Sequence, residues 1–590
     1  MKVDITIVSG LTPDSHPSVL LTIDSDSYLF GIPAELPRIA LNGLKIERIK
    51  HFFAMTTNQD QMGGFLTSTI QFYIPKGNEM YATMPRTAEK CLFYGVMDSF
   101  DYKKVSSFSF ADDNITITPI ELSKSTAYGV SIKDAPGQFD IKKAKELKIP
   151  QGPLFGKLSN GETITLEDGR VIKPSDVVGS PRKIGKMLFI YAYDVSDLAQ
   201  IPDLSTYETV FHFTPMDLIN DPCYYEKFTI NKTNICFPLS NRITYSEADQ
   251  YYKSIKTAFM SDFVISTPEK VIPKHFTGMH QECSIKVYPS YKLQTTKFTE
   301  KEPNDIISLP ETKTFALTFL GSGSKFPTKS RNVQSVLVHC KDGYMILDCG
   351  LNTVGQMRRL FGVEGTNHIF RNLFCVWISH FHSDHALGLA AIMEERLKVT
   401  DRRLTVLCDH IVHGRTIVKE PLYGEDYFKA DFKNRNDIFK YGNVELRSTP
   451  VYHDFRGTSM ACEITFDSKY KLVMSGDRNA FYDDMEKEFK SADILIHEAT
   501  FKDDSNAEEE DQCNRVHSTF SEAIESGSKL NAKYEFLNHC SQRYDLNEFC
   551  LPKHPNIMFA YDYLTINFDT IDHDFPIIKE NVENFNSSHS

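Results

Sequence analysis

The chain has 590 residues, too many for one hydrophobic core, and its 41% hydrophobic and 24% charged residues are typical of a globular protein. Its net charge of −13 excludes a wholly basic body that binds nucleic acid through its overall field, so any such contact needs a local patch. No apolar run reaches the roughly 18 residues needed to span a bilayer, and the twelve cysteines form no CxxC pair, which predicts free thiols and no membrane role.

The first residues, MKVDITIVSG, alternate apolar and polar side chains and predict a first strand. They lack the cationic start and apolar core of a signal peptide and the Arg-rich character of a transit peptide. We therefore expect an intracellular protein in the nucleus or cytoplasm, with a mitochondrial location left open. A monomer is the favoured state.

Two blocks of the second half repeat blocks of the first. SVLLTIDSDSYLFGI at 18–32 aligns without a gap to SVLVHCKDGYMILDC at 335–349, and both predict a hairpin around a polar turn. FFAMTTNQDQMGGF at 52–65 aligns to VWISHFHSDHALGL at 376–389. The separations, 317 and 324 residues, nearly agree. We interpret this as a duplicated domain, against the alternative of two hairpins that share composition.

In this alignment the second copy has histidines that the first copy lacks. The residues opposite His380, His382 and His385 are Thr56, Asn58 and Gln61, and Asp60 stands opposite Asp384. Since these residues cannot replace imidazoles, an RNA-binding pseudoenzyme is an alternative function for residues 1–290.

The strongest chemical signal is ISHFHSDHALG at 378–388. The apolar strand FCVWI ends there and delivers four candidate ligands within six residues: His380, His382, Asp384 and His385. Imidazole and carboxylate groups suit Zn²⁺. In a loop of alternating side chains, the first two can point to one ion and the last two to another.

Three further candidate ligands each follow an apolar strand: His453 in STPVYHDF, Asp477 in YKLVMSGDR and His539 in YEFLNHCSQRY. Taken singly, His453 is more typical of a surface histidine, and Asp477 is more typical of a turn residue beside Gly476. Their order after HFHSDH and their shared place at strand ends predict a metal site at the edge of a sheet.

These residues resemble the ordered ligand motifs of the metallo-β-lactamase superfamily. Narrower segments resemble one of its families, the long form of tRNase Z: FLGSGSKFPTKSRNVQSVLV (319–338), ILIHEATF (494–501), RVHST (515–519) and NHCSQRY (538–544). In the first half, YLFGIPAELPR and MGGF resemble that family's degenerate copy, and residues 149–179 resemble its flexible arm. The similarity covers most of residues 18–200 and 315–545.

The resemblance implies an α/β fold of two tandem metallo-β-lactamase-type αβ/βα sandwiches, the amino-terminal one degenerate. We expect that degenerate domain over residues 1–293, with an arm inserted at about 140–190, and a linker at 294–314. The catalytic domain is expected over residues 315–565, followed by a frayed tail at 566–590.

The resemblance also implies two zinc ions in the catalytic domain. One would be held by His380, His382 and His453 and the other by Asp384, His385 and His539, with Asp477 bridging. A hydroxide formed between the metals would attack a phosphodiester.

Asp384 is the predicted general base, and Glu498 is predicted to orient His517 as the acid for the leaving 3′ oxygen. From the residues alone, catalytic roles are no better supported than structural ones: Glu498 as a carboxylate at a strand end, and His517 as a residue before a helix.

The implied activity is zinc-dependent removal of the 3′ trailer of precursor tRNA, which leaves a 3′-hydroxyl. The segment from Asp140 to Lys186 contains ten basic and six acidic residues. Charge alone favours a solvated surface, but the turn residues Gly152, Pro153 and Gly156 predict a protruding hairpin, on which we place the RNA contacts together with Lys157. Another hydrolase of this fold, acting on a thioester, a lactam or a different phosphodiester, is the alternative.

Two segments depart from the family pattern. DCGLNT at 348–353 stands where the family usually has DCGEGT, and Arg478, Asn479 and Ala480 follow SGD where it usually has TRP. We expect these departures to affect the preferred cleavage position more than the metal ligands.

Overall fold

The structure is a computed structural model. It describes residues 1–12, 15–32, 35, 49–56, 79–82, 102–104, 110–135, 137–238, 262–263, 272–279, 283–294, 306–307, 311–328, 331–408, 430–433, 438–453, 459–480, 485–503, 516–544, 549, 551 and 553–588. Asn58, Asp60, Gln61, Arg515 and most of the predicted linker lie outside these residues.

The first half contains two large sheets, whose strands are numbered along the chain. The first sheet contains β1 (Val3–Ser9), β2 (Ser18–Ile23), β3 (Asp26–Phe30), β4 (Ile49–Phe53), β5 (Glu79–Ala82), β6 (Tyr102–Lys104), β17 (Ser284–Tyr288) and β18 (Lys292–Gln294). The second sheet contains β7 (Phe110–Ala111), β8 (Ile115–Glu121), β9 (Thr126–Ile132), β12 (Lys186–Ile190), β13 (Tyr207–His212), β14 (Thr233–Cys236) and β16 (Phe276–Gly278).

The second half also contains two large sheets. The third sheet of the molecule contains β20 (Phe315–Gly321), β21 (Ser335–Cys340), β22 (Gly343–Cys349), β23 (Leu373–Trp377), β24 (Leu404–Leu407), β25 (Ala430–Lys433) and β33 (Thr565–Asn567). The fourth contains β26 (Phe439–Tyr441), β27 (Val444–Val451), β28 (Ser459–Phe466), β29 (Tyr470–Met474), β30 (Ile494–Glu498), β31 (Tyr534–Asn538) and β32 (Ile557–Phe559). Two short pairs complete the strands: β10 (Ile164–Thr165) with β11 (Val171–Ile172), and β15 (Asp262–Phe263) with β19 (Ile306–Ile307).

The two halves repeat the same topology. The order β17-β1-β2-β3-β4-β5-β6 matches β33-β20-β21-β22-β23-β24-β25, and each pair of neighbours is parallel or antiparallel in both copies alike. The order β7-β8-β9-β12-β13-β14-β16 matches β26 to β32 in the same way. The two aligned hairpins are β2–β3 and β21–β22, as the repeat predicts, so the structure supports a duplicated domain and not a chance likeness of two hairpins.

The described residues form eleven α-helices, of which three belong to the inserted arm. In chain order they are α1 (Ile141–Glu146), α2 (Pro153–Ser159), α3 (Pro174–Val177), α4 (Met216–Ile219), α5 (Pro222–Tyr225), α6 (Thr353–Asn372), α7 (Ser383–Ala386), α8 (Leu389–Leu397), α9 (Met485–Phe489), α10 (Phe520–Lys529) and α11 (Ile571–Ser588). Among the helices of the described residues, none combines the length and the apolar character needed to cross a bilayer.

Each half buries its main core between its two sheets. In the second half, side chains such as Leu317 and Ile464 from facing sheets pack together, while Met357 of α6 and Ile392 of α8 cover the other face of the third sheet. This helix–sheet–sheet–helix layering lets each apolar strand face bury its side chains, because the layers on both sides exclude water.

The two halves contact each other at equivalent positions. The side-chain amide of Asn352 donates a hydrogen bond to the carboxylate of buried Glu35. These residues are 317 positions apart, the same spacing that separates the repeated hairpins. Such a contact between equivalent positions is what a two-fold arrangement of the copies produces.

The expectation of a simple hairpin at Gly152, Pro153 and Gly156 is wrong. Pro153 is the first residue of α2, Gly152 precedes it with a φ of 131°, and Gly156 lies within the helix. The segment is a small folded unit of α1, α2, α3 and the β10–β11 pair, with its own core that includes Ala144 and Leu158. The predicted turn instead starts a helix, because proline favours the first position of a helix, and the paired strands β10 and β11 lie further along the chain.

The arm joins the first half through a narrow neck. Backbone hydrogen bonds in both directions link Ala135 to Arg182, and Phe139 pairs with Val178. In the second half, the corresponding strands β28 and β29 are joined by a tight turn at Asp467 and Ser468. The arm is therefore an insertion between two neighbouring strands of the repeat.

The expected frayed tail is also wrong. Residues 571–588 form α11, and its buried side chains recur at helical spacing and join the core of the second half: Ile571, Phe575, Ile578 and Val582. Burial of this apolar stripe outweighs the polar composition of the segment and the presence of Pro576 within the helix.

We predict that Phe575→Ala lowers the stability of the second half by about 3–5 kcal/mol, because Phe575 is 0% exposed and its loss leaves a cavity. The matched control is Ile577→Ala on the same helix, since Ile577 is 38% exposed and should change stability by no more than about 0.5 kcal/mol. Thermal unfolding of both variants measures the difference. Equal, small effects would mean that α11 does not pack as described.

Candidate metal centre

The candidate ligands lie at one edge of the second-half sandwich. His380 follows β23 by three residues, Asp477 follows β29 by three, and His539 directly follows β31. Since β29, β30 and β31 are mutually parallel, their carboxyl ends meet at the same edge. His453 follows β27, whose end lies at this edge because β27 is antiparallel to β28.

One set of ligand atoms comes from His380, His382, His453 and Asp477, which lie within 4.8 Å of one another. The Nδ1 atom of His382 lies 2.8 Å from Nε2 of His380 and 3.1 Å from Nε2 of His453. His380 and His453 are buried, whereas His382 is exposed. This set therefore opens to solvent on one side.

A second set comes from Asp384, His385 and His539, which are all buried. The Nε2 atom of His539 lies 3.2 Å from Nε2 of His385 and 3.2 Å from Oδ2 of Asp384. The backbone N–H of Lys325 donates to the same Asp384 oxygen over 2.5 Å.

Asp477 stands between the two sets. Its Oδ2 atom lies 3.7 Å from Nε2 of His380 and 3.9 Å from Nε2 of His453 in the first set. In the second set it lies 3.2 Å from Nε2 of His385 and 3.3 Å from Nε2 of His539. One carboxylate oxygen thus faces both sets, as a bridging ligand would.

The donor set fits zinc. Ligand atoms about 2.1 Å from a tetrahedral zinc ion lie roughly 3.4 Å apart, close to the separations within the second set. Burial lowers the pKa of His385, but Asp477, Asp348 and Asp384 outweigh it and hold that pKa well above its ordinary value. The aspartates therefore favour positive charge at His385, whereas burial lowers the pKa of His380 and His453.

Residues outside the two sets orient the imidazoles. Asp348 accepts a hydrogen bond from Nδ1 of His385 over 2.8 Å and two more from Ser379. The Val516 carbonyl accepts from Nδ1 of His453 over 2.8 Å. In each case Nδ1 is the donor, so the imidazole presents Nε2 to the cluster as a ligand.

Thr500 connects His539 with Glu498. Its hydroxyl donates to Oε2 of Glu498 over 2.7 Å and lies 2.8 Å from Nδ1 of His539, from which it accepts. The sequence analysis gave no role to Thr500 or to Asp348, although both lie in segments quoted above. Thr500 stands two residues after Glu498 at the end of β30, and this position is the signal that could have identified it.

Glu498 and His517 form a pair beside the cluster. Nδ1 of His517 donates to Oε1 of Glu498 over 3.0 Å, and the backbone N–H groups of Arg478 and Ser518 donate to the same oxygen. Burial lowers the pKa of His517, but the Glu498 carboxylate outweighs it and raises that pKa to about 9. His517 also lies near the centre, because its Nδ1 is 3.8 Å from Oδ2 of Asp477.

Backbone strain concentrates around the centre. Lys325, Asp348 and His539 all have positive φ angles, of 59°, 54° and 58°. Side-chain-bearing residues adopt this conformation at a cost of order 1–3 kcal/mol, and they keep it only where surrounding contacts fix it. The loops that carry and support the ligands are therefore held by the rest of the fold.

The two departures from the family pattern lie in the supports of the site. Arg478 is fully buried, and its guanidinium reaches Glu486 over 2.8 Å and Ser526 over 3.2 Å, away from the ligand cluster. Asn352 begins α6 and contacts Glu35 of the first half. An effect on the preferred cleavage position, as expected from the sequence, stays a prediction.

In the first half, other side chains take the equivalent positions. Thr56 follows β4 as His380 follows β23, and it is buried. Tyr193 takes the place of Asp477 after β12, and Phe237 takes that of His539 after β14. In the described part of the first half, no group of three metal-binding side chains comes together.

The residues expected to contact RNA are not among the candidate metal ligands. Gly152, Pro153, Gly156 and Lys157 are on the arm, and each is at least partly open to solvent. A side chain at either glycine would meet nothing within 4 Å. The basic residues of the arm are exposed apart from half-buried Arg182.

The second half of the chain matches a known family, and the whole chain superposes on a solved structure. Residues 344–540 match the family described as "Beta-lactamase superfamily domain". A crystal structure of a long form RNase Z from yeast superposes with a TM-score of 0.70 at 17% identity, covering 98% of this chain and 100% of the other. The chain shares the long-form RNase Z fold. This confirms the expected pair of metallo-β-lactamase-type α/β sandwiches.

Two relatives, one named as a ribonuclease Z and one as a zinc phosphodiesterase, match over most of this chain. "Ribonuclease Z 2, mitochondrial" of Schizosaccharomyces pombe is 27% identical over 92% of this chain and 88% of its own length. "Zinc phosphodiesterase ELAC protein 2 homolog" of Caenorhabditis elegans is 26% identical over 77% of this chain. That match spans only 65% of the Caenorhabditis protein. The expected resemblance to long-form tRNase Z is confirmed.

Proposed function

We propose that this chain is a zinc-dependent endoribonuclease that removes the 3′ trailer of precursor tRNA. The observation that carries the proposal is the convergence of seven ligand side chains in two sets, with Oδ2 of Asp477 between them, in a chain whose relatives are named ribonuclease Z. The mitochondrial naming of two of these relatives supports keeping a mitochondrial location open. The domain boundaries given above also remain part of the proposal, except that the described residues 566–588 belong to the second half and not to a tail.

In this proposal His380, His382 and His453 hold one zinc ion, Asp384, His385 and His539 hold a second, and Asp477 bridges them. Two zinc ions would supply an ionised water near neutral pH and neutralise charge on the phosphate that is attacked. His382 is the exposed member of the set, and this exposure supports an approach of the substrate from its side of the centre.

Asp384 is proposed to accept a proton from the attacking water. Burial would raise its pKa, but His385 and His539 outweigh burial and hold that pKa well below its ordinary value. Asp384 therefore acts first as an anionic ligand, and proton transfer is its secondary role.

His517 is proposed to donate a proton to the leaving 3′ oxygen. Its Nδ1 is engaged with Glu498, so Nε2 is the nitrogen that faces a substrate. The five hydrogen bonds that Glu498 accepts keep this carboxylate ionised and its orientation fixed, which in turn fixes the His517 ring. Hydrolysis then leaves a 3′-hydroxyl on the tRNA and a 5′-phosphate on the trailer.

Incubation of the purified chain with a 3′-extended precursor tRNA tests the activity directly. We expect one new 3′ end at the base of the trailer, and complete loss of cleavage when a chelator removes the metal. Mapping of the product ends and metal analysis of the protein measure both. Hydrolysis of a thioester or a lactam without RNA cleavage would favour the alternative hydrolase, and a chain that takes up no zinc would favour the pseudoenzyme.

We predict that His517→Ala lowers turnover of precursor tRNA by about 10²–10⁴-fold, the usual contribution of a general acid, while zinc content stays at the wild-type value. Glu498→Gln should give a smaller loss, because an amide still accepts from Nδ1 but carries no charge. Single-turnover kinetics and metal analysis check both variants. Loss of zinc from His517→Ala would instead make His517 a ligand, which its 3.8 Å approach to Asp477 makes a real alternative.

The arm is proposed to contact the tRNA through its local positive charge. Removal of residues 140–177, with Phe139 and Val178 joined by a short Gly linker, should raise the KM for precursor tRNA at least tenfold. Because Phe139 and Val178 are already paired at the neck, the sheet should survive the deletion. Hydrolysis of a small phosphodiester serves as the control, and an equal loss of both activities would contradict the role of the arm.

A further inference from the structure

Asp562 is a buried carboxylate that no proposed step uses. It is 3% exposed and accepts four hydrogen bonds. Ser322 donates its backbone N–H over 3.0 Å and its hydroxyl over 2.9 Å to Oδ1. Asn332 donates its backbone N–H over 2.5 Å and Gln356 its side-chain amide over 3.0 Å to Oδ2. Such a group is stable in the core only because both oxygens are satisfied.

The two oxygens of Asp562 tie down the two ends of one loop. Ser322 begins the loop that leaves β20, and Asn332 lies at its return toward β21. Gly323 donates its N–H to the Asn332 carbonyl over 2.7 Å, which closes the loop at its base. Gln356 joins the same oxygen from α6, so the carboxylate also fixes the loop against that helix.

This loop contacts one member of the second ligand set, Asp384, and the residue that follows another member, Cys540. Cys540, directly after His539, donates its N–H to the Ser322 carbonyl over 2.9 Å, and its own carbonyl accepts from Ser324 over 3.1 Å. Further along, the N–H of Lys325 donates to Oδ2 of Asp384 over 2.5 Å. The loop therefore spans from the backbone of Cys540, next to His539, to the side chain of Asp384.

The strain at both contact points requires such a support. Lys325 and His539 have φ angles of 59° and 58°, which side-chain-bearing residues keep only where contacts hold them. The first ligand set has different supports, because His453 is oriented by the Val516 carbonyl and His380 lies beside Ser379.

We propose that Asp562 is a positioning residue for one of the two metal sites: by clamping both ends of the Ser322–Asn332 loop, it holds Asp384 and His539 in place as ligands. The inference rests on the proposed function, since it assigns a support to the second zinc ion and none to the first. Asp562 touches neither ligand and acts only through the loop.

The Asp562→Asn variant tests this assignment. An asparagine keeps the size of the side chain but replaces one acceptor oxygen with an NH₂ group, which cannot accept from the N–H donors that face it. The loop end at that oxygen is then released. We expect the variant to bind one zinc equivalent like the wild type and the other about 10–100-fold more weakly, the usual effect of losing an outer support.

Zinc titration of the metal-free full chain against a chromophoric chelator measures both equivalents, and thermal unfolding monitors the fold. His539→Ala marks which equivalent belongs to the second set. Ser322→Ala, which removes the hydroxyl that donates to Asp562 and accepts from Arg331 but leaves the backbone N–H in place, should weaken the same equivalent by less. If Asp562→Asn fails to fold, this milder variant decides the question.

Asp569→Asn is the matched control. Asp569 is a carboxylate that likewise accepts hydrogen bonds from backbone N–H groups, those of Lys313 and Thr314. It follows β33 in the sequence, and these donors are not part of the loop. Its substitution should leave both zinc equivalents unchanged. Wild-type binding of both equivalents by the Asp562 and Ser322 variants, or equal weakening of both, would overturn the inference. A wild-type chain that binds no zinc would overturn the proposed function, and this inference with it.

Discussion

The structure depends on one electrostatic constraint: the Oδ2 atom of Asp477 faces four imidazoles at 3.2–3.9 Å. Lone pairs brought so close repel one another unless protons or cations lie between them. Burial removes the water that could otherwise screen this repulsion. The parallel strand ends, the fixed imidazole tautomers and the strained loops all hold these atoms close together.

The sequence predicted those residues of the centre whose side chains come directly after a strand. His380, Asp477 and His539 each stand within three residues of a strand end, so the local pattern of apolar run and ligand was enough to find them. The supports were missed because they depend on contacts distant in sequence. Asp348 lies 37 residues from His385, and Thr500 lies 39 residues from His539.

The duplication and the position of the arm were predicted, whereas the internal structure of the arm and the helical tail were not, for a related reason. Hairpins and strands have a period of two residues that survives in a short segment, whereas short helices need tertiary contacts to form. In α11, the spacing of Ile571, Phe575, Ile578 and Val582 is helical, but polar neighbours and Pro576 concealed it. The arm folds around its own core, which no single segment of it reveals.

The contact between Glu35 and Asn352 joins equivalent positions of the two copies, as an interface between identical subunits would. In a dimer of separate chains, a subunit that lost its histidines would compete with intact ones for partners. Fusion into one polypeptide removes that competition, since every second half is permanently bound to the same first half. The proposed metal centre and the arm therefore occur in equal number, one of each in every chain.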